Sequence, residues 1–308
     1  MDTIESLRLQ IVTAEELRSV VKTMKALAAV NIRQYEKAVE ALAEYNHAVE
    51  TGLQIALRNK QQWAVKATPA PRHSLIAVVL GSDQGMCGQF NELIGEYVCE
   101  NLGKLNSAKG QEVMLVVGSR LAASLMEKAM DVREVFMVPS GVTGIVSLVH
   151  DLLIKIDELR ALLDLDQVVV YYNKQVSNTS FAPFEAKLLP VDLEWLDRLK
   201  NRSWPCHSLP TYTMDWDRLF SALIWQYLFV SIYRAVTESM SSENAARLAA
   251  MERAEKNIEE RIEDLNLKYH QSRQLSVTEE LLDIVAGFEA ITSKPRKHNE
   301  NSTKPLYL

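Results

Sequence analysis

The chain has 308 residues, 47% of them apolar and 24% charged, which excludes wholesale disorder and allows two domains or one domain with an extension. A net charge of −6, from 34 Lys and Arg against 40 Asp and Glu, argues against a general nucleic-acid binder. Three cysteines (Cys87, Cys99, Cys206) without a CxxC, and six scattered histidines without HExxH, favour neither a disulfide framework nor a zinc site.

The start, from Met1 to Val12, lacks a basic region followed by an apolar core, so no secretory signal is expected. From Ile4 to Ala56 there is no proline and one glycine, Gly52. Apolar or small residues recur at Ile4, Leu7, Ile11, Ala14, Leu17, Val21, Met24, Ala28, Ile32, Tyr35, Val39, Leu42, Tyr45, Val49, Leu53 and Ala56. The spacing averages roughly 3.5 residues, the period of a left-handed coiled coil. Such a helix would extend about 80 Å and needs a partner along its length. Pro69 and Pro71 stop it.

The middle alternates strand and helix patterns. Leu75–Leu80, Glu112–Val117, Val135–Val138 and Gln167–Tyr172 read as strands, with a further one through Phe184–Leu189. Helical patterns lie near 89–105, 119–130 and 143–162, so a mostly parallel, Rossmann-like sheet is predicted. Residues 195–212, with two prolines, read as a connection.

Met214 to about Ile291 is proline-free and predicts a second long helix. Its first third is apolar on nearly all faces. Gln226 and Arg234 interrupt Leu219–Val236, so a helix buried on both sides is expected rather than a membrane span. Its end, Leu281, Leu282, Ile284, Val285, Phe288 and Ile291, forms an apolar tip that needs a socket. The expected fold is α/β: a long antiparallel coiled coil of N- and C-terminal helices with an inserted Rossmann-like domain. Its parts are residues 1–62, 73–195 and 212–292, then a disordered tail at 293–308.

The loop Gly81-Ser-Asp-Gln-Gly-Met-Cys-Gly-Gln-Phe-Asn91 resembles the SDxGxCGxFN signature of the gamma subunit of rotary F-type ATP synthases. Ser242-Glu-Asn-Ala-Ala-Arg-Leu-Ala-Ala-Met251 is similar to that family's SENAARMAAM block. Tyr269 to Val285 resembles its YNxxRQxxITxEExxEIV end, and Val21 to Ala29 its ITKAMKMVAA segment. Gln84 and Gln89 depart from the usual Arg or Lys and Gly, and Val30-Asn-Ile-Arg33 replaces a basic stretch. These departures suggest a divergent branch, such as the sodium-motive type.

The resemblance implies a non-catalytic rotor shaft that couples proton or sodium flow to ATP synthesis or hydrolysis. Its partners would be the alpha and beta subunits, the epsilon subunit and the membrane c-subunit ring, on the cytoplasmic face of the plasma membrane. Beta-subunit contacts are expected at Lys22, Met24, Lys25, Glu243, Arg247, Arg273, Gln274, Thr278 and Glu280. Ser82, Asp83, Gly85, Cys87, Gly88, Phe90 and Asn91 carry the loop signature, to which the family gives an assembly role.

Read from the residues alone, each feature also has a plain structural explanation. Lys22, Lys25, Arg33 and Lys37 make a solvated basic face, Met24 packs in the seam, and Glu243 with Arg247 is an i,i+4 pair. The loop lacks the GK[ST] of a phosphate loop and reads as a strand-to-helix turn, with Asp83 bonding local amides. No nucleophile–base pair, metal cluster or paired acid set stands out, and no cofactor is expected. A nucleotide-binding α/β enzyme with helical dimerisation arms is the alternative.

Overall fold

The computed structural model describes residues 3–59, 75–105, 112–163, 165, 167–177, 180–204 and 210–292. Cys206 and the tail 293–308 lie outside the described residues. Two compact units result. One is built from Val21–Ala254, the other from the segments before Val21 and after Ala254.

Eleven elements follow in chain order among the described residues: α1 (Ile4–Asn59), β1 (Leu75–Leu80), α2 (Phe90–Leu105), β2 (Glu112–Val117), α3 (Ser119–Glu127), β3 (Val132–Phe136), α4 (Val142–Leu163), β4 (Gln167–Ser177), β5 (Ser180–Leu189), α5 (Leu193–Asn201) and α6 (Trp216–Thr292).

In the unit 21–254 the strands form one sheet in the order β3-β2-β1-β4-β5. β1 pairs in parallel with β2 and β4, β2 pairs in parallel with β3, and β5 returns antiparallel to β4. Every residue of β1 is buried. The strand period explains why. Ile76, Val78 and Leu80 face α4 and α6, where Leu152, Ile156, Ile232 and Val236 pack. Leu75, Ala77 and Val79 face α2 and α3, meeting Ile94, Val98 and Leu121. Helices cover both faces, so the strand reads as an unbroken apolar run.

β3 ends at Phe136, earlier than the run Val135–Val138 suggests. Val138 leaves the sheet because its N–H donates to Asp83 Oδ2 at 2.7 Å. Residues 193–201, most of which the sequence reads as connection, form α5. The Asp192 side chain caps it, accepting from Glu194 N at 2.9 Å, and Leu196 and Leu199 are buried. Asp192→Ala is expected to lower stability by about 1 kcal/mol. A denaturant titration with an unmoved midpoint would show that the cap contributes nothing.

α6 serves two neighbours. Leu228, Ile232, Ala235, Val236 and Met240 join the core under the sheet. Leu223 and Val230 join Val49 and Leu53 of α1. Two covers do not close the whole circumference: only 28% of its most apolar window is buried, and Ser221 and Ala222 are exposed. By length and composition that helix alone, among the described residues, is apolar enough to cross a membrane.

Four contacts fix the direction of α1 against α6. Asn31 Nδ2 donates to Asn244 Oδ1 (3.3 Å), and Tyr45 Oη donates to Gln226 Oε1 (2.7 Å). Gly52 faces Leu223, and Trp216 Nε1 donates to the Ala56 carbonyl (2.8 Å). Numbers rise along α1 as they fall along α6, so the pair is antiparallel. In the other unit Leu7, Ile262 and Leu265 are buried. α1 begins at Ile4, so the last turns of α6 extend beyond it, and Leu275, Val277 and the apolar residues from Leu281 to Phe288 are exposed.

Candidate functional site

The sequence motif at 81–91 lies at the carboxyl end of β1, where α2 begins. In a doubly wound sheet, ligands bind at the point where strand order reverses, here between β1 and β4. That crevice is filled by the chain itself. The Phe90 ring is fully buried, 5.5 Å from the Phe181 ring, and Phe90 clusters with Cys87 and with Ala246 of α6. Asn173 of β4 donates through Nδ2 to the Phe90 carbonyl at 2.8 Å.

Inside the loop, Ser82 N donates to Asn91 Oδ1 (3.1 Å) and Asn91 Nδ2 donates to Ser82 Oγ (2.8 Å). Ser82 Oγ in turn donates to the Gln84 carbonyl (2.8 Å). Cys87 Sγ sits 3.6 Å from that hydroxyl, and burial pushes its thiol pKa up, so it stays a neutral packing group. Gly88 adopts φ +60, a left-handed conformation that glycine takes at least cost. Arg120 lies across Gly85.

Asp83 does not bond local amides. Its Oδ1 accepts from Ser119 N at the start of α3, and its Oδ2 accepts from Val138 N after β3, both at 2.7 Å. One carboxylate therefore ties the turns that follow β1, β2 and β3. It also takes the helix N-terminus where a phosphate would otherwise be bound. Asp83→Ala is expected to lower stability by about 2 kcal/mol, since two backbone donors lose a charged acceptor. Asp83→Asn should cost less, because one acceptor oxygen remains. Equal denaturation midpoints for Asp83→Ala and the unaltered chain would remove this role.

Glu243 and Arg247 lie against this loop. They are buried and pair with one another, Arg247 Nη2 donating to Glu243 Oε1 at 2.7 Å. The same nitrogen approaches the Gln84 carbonyl at 3.5 Å, while Arg247 Nε has no partner among the described residues. Burial raises the Glu243 carboxyl pKa, against the pull of Arg247 and with a push from Asp83. Both side chains of this pair, expected to meet a beta subunit, turn inward in the free chain, with Ala246 beside them packed on Phe90.

The other expected contact residues lie elsewhere. Lys22 is exposed on α1, and Met24 and Lys25 are half-buried. Arg273, Gln274, Thr278 and Glu280 are exposed on α6 in the other unit, with Thr278 Oγ1 donating to the Gln274 carbonyl at 2.8 Å. Leu281, Leu282, Ile284, Val285 and Phe288 are all more than half exposed. Ile291 belongs to α6, with its side chain outside the described residues. Among the described residues no group of three or more His, Cys, Asp or Glu is placed to hold a metal.

The sequence reasoning missed a second polar joint, in which Tyr172 and Lys174 of β4 meet Glu238 of α6. Its one sequence signal is the i,i+4 spacing of Arg234 and Glu238.

The profile of the family described as ATP synthase matches residues 3–291. The ATP synthase gamma chain of Bartonella bacilliformis is 26% identical, over 94% of this chain and 100% of the relative. That of a Synechococcus species is 28% identical over the same shares. Among solved structures, a chain of the Euglena gracilis mitochondrial ATP synthase (OSCP, F1 and c-ring) has a TM-score of 0.63 at 16% identity, covering 98% of this chain and 99% of that one. A chain of the Tetrahymena thermophila central stalk and c-ring assembly has a TM-score of 0.54 at 22% identity, covering 76% and 99%. These structural likenesses establish the fold.

Proposed function

The chain belongs to the ATP synthase family, as its gamma chain, and from that premise we propose that it couples ion translocation through the membrane sector to ATP synthesis or hydrolysis at the catalytic beta subunits. It is a non-catalytic central-stalk subunit, and its work is mechanical. The partners are the alpha and beta subunits, epsilon and the membrane ring, with the chain peripheral on the cytoplasmic face.

The observation that carries the reading is the end of α6 left bare beyond α1. Five large apolar side chains from Leu281 to Phe288 stand in solvent, an aggregation hazard unless a sleeve of partner subunits covers them. Apolar contact is non-directional, so such a sleeve lets the helix turn without breaking fixed bonds. Over the two turns before them, the polar groups of Arg273, Gln274, Thr278 and Glu280 supply directional contacts to beta. Lys22 and Lys25, with Met24 between them, offer a basic face to an acidic lever of beta.

A shaft without threefold symmetry presents different contacts to three equal sites. Each site shifts only by its differential contact energy, and about 1.4 kcal/mol is worth tenfold in nucleotide affinity. Glu243 and Arg247 act inside the shaft in this reading.

The test is co-purification and rotation. The full chain, expressed with alpha and beta, is expected in one particle in which ATP turns a probe fixed to it. A particle of alpha and beta that excludes the chain, or that hydrolyses ATP while the probe stays still, would overturn the proposal. Arg273→Ala with Gln274→Ala should weaken torque while leaving assembly intact.

A further inference from the structure

A shaft that carries an α/β body must hold that body at one angle, and apolar packing does this poorly. α6 meets the sheet through Leu228, Ile232, Ala235, Val236 and Met240, contacts without preferred direction. A hydrogen bond has a preferred direction, so the polar groups at this boundary decide the angle.

Glu238 is the hub of those groups. Arg234, one turn earlier on α6, donates through Nε to Glu238 Oε1 at 2.8 Å. That contact turns the other oxygen toward the sheet, where Tyr172 Oη donates to Oε2 at 2.9 Å. Lys174 Nζ lies 3.7 Å from the same oxygen and sits over the Phe184 ring at 5.1 Å. Phe184 in turn meets Tyr172 edge-on, with ring centroids 5.5 Å apart. Neighbouring strands thus brace the two donors that reach Glu238. The carboxylate is largely buried and Tyr172 is buried, and a buried hydroxyl needs its acceptor. A second polar tie, from Arg247 to the Gln84 carbonyl, is longer and reaches a loop rather than a strand.

We propose that Glu238 is a positioning residue that fixes the angle at which α6 carries the five-stranded sheet, and so makes the joint stiff to twist. This rests on the reading of the chain as a rotor shaft. Stability alone does not require the arrangement, since well-packed apolar residues in place of the whole polar set would hold the same seam.

The experiment uses the full chain assembled with alpha and beta, the hexamer immobilised, and a bead attached through Leu162→Cys on α4. The angular spread of the pauses during ATP-driven rotation is read. Glu238→Ala is expected to widen that spread by about twofold, as directional bonds are lost and apolar packing remains, with unloaded ATP hydrolysis unchanged. Glu238→Gln, which keeps an acceptor for Tyr172, should return most of the stiffness. An unaltered spread in Glu238→Ala would overturn the proposal. If that variant fails to assemble, Tyr172→Phe removes one hydroxyl and is expected to widen the spread in the same direction. No widening there would also overturn it. A complex with the unaltered chain that does not rotate at all would instead remove the shaft reading itself.

Discussion

Gly118→Ala is expected to lower stability by about 4 kcal/mol, adding ~1–3 kcal/mol of backbone strain to ~1–3 kcal/mol of overpacking. Gly118 joins β2 to α3 with φ +109 and ψ 113, a conformation that side chains rarely adopt. A Cβ there would stand 2.7 Å from Ser82 N, 2.8 Å from Ser82 O and 2.9 Å from Gly81 C. All three are backbone atoms, so no rotamer relieves the clash. The turn itself has no slack: Gly118 N donates to the Phe136 carbonyl, Gly81 N to the Val117 carbonyl, and Arg120 N to the Ser82 carbonyl. Two controls separate this from a general intolerance of alanine. Gly141 has nothing within 4 Å of an added Cβ, and Gly141→Ala should stay within ~0.5 kcal/mol. Gly52 would meet only the flexible end of Leu223, and its helix gains propensity from alanine, so the net change should be within ~1 kcal/mol. Denaturant midpoints for the three variants give the comparison. Gly118→Ala no worse than Gly52→Ala would refute the argument from the turn.

What the sequence reveals follows from how local the cause is. β1 and β2 are legible to the residue because burial on both faces writes a continuous apolar run. β3 is an edge strand, VREVF, whose alternation is weak, and the apolar Met137-Val138 draws the reading downstream. α5 escapes notice because Pro205 and Pro210 mark its surroundings as a connection, although both follow its end at Asn201. The seam of α1 is legible as a period, yet Leu17 and Tyr45 on that stripe are 53% and 44% exposed. An average spacing does not say which positions a partner covers at each turn. At the loop, glycine content shows a turn, but the Asp83 carboxylate bridges to Ser119 and Val138, and no local pattern announces contacts 36 and 55 residues away. Glu243 and Arg247 announce a pair by spacing, while the burial that makes the pair matter depends on Phe90 and Ala246 meeting across the fold.

That burial makes Arg247→Met the other large loss. Removing the guanidinium leaves Glu243 buried beside Asp83 without its cation, expected to cost about 3–5 kcal/mol where Glu243 is ionised. The pH dependence carries the sign. Glu243 has a raised pKa in the folded chain, so the native state holds its proton more tightly than the unfolded state. Its contribution to stability is fully present below the ordinary carboxylate range and is lost as pH rises through the raised value. Loss of Arg247 raises that value further, so the window should widen and the decline steepen. At low pH, where Glu243 is neutral, Arg247→Met should cost far less. Glu243→Gln should flatten the slope. The double variant should recover most of the loss, because no buried charge remains without a partner. Denaturant midpoints of these proteins across the pH range make the test. A penalty for Arg247→Met that is equal at every pH, or a double variant as weak as the single one, would mean that Arg247 acts through its bulk and that its charge is incidental.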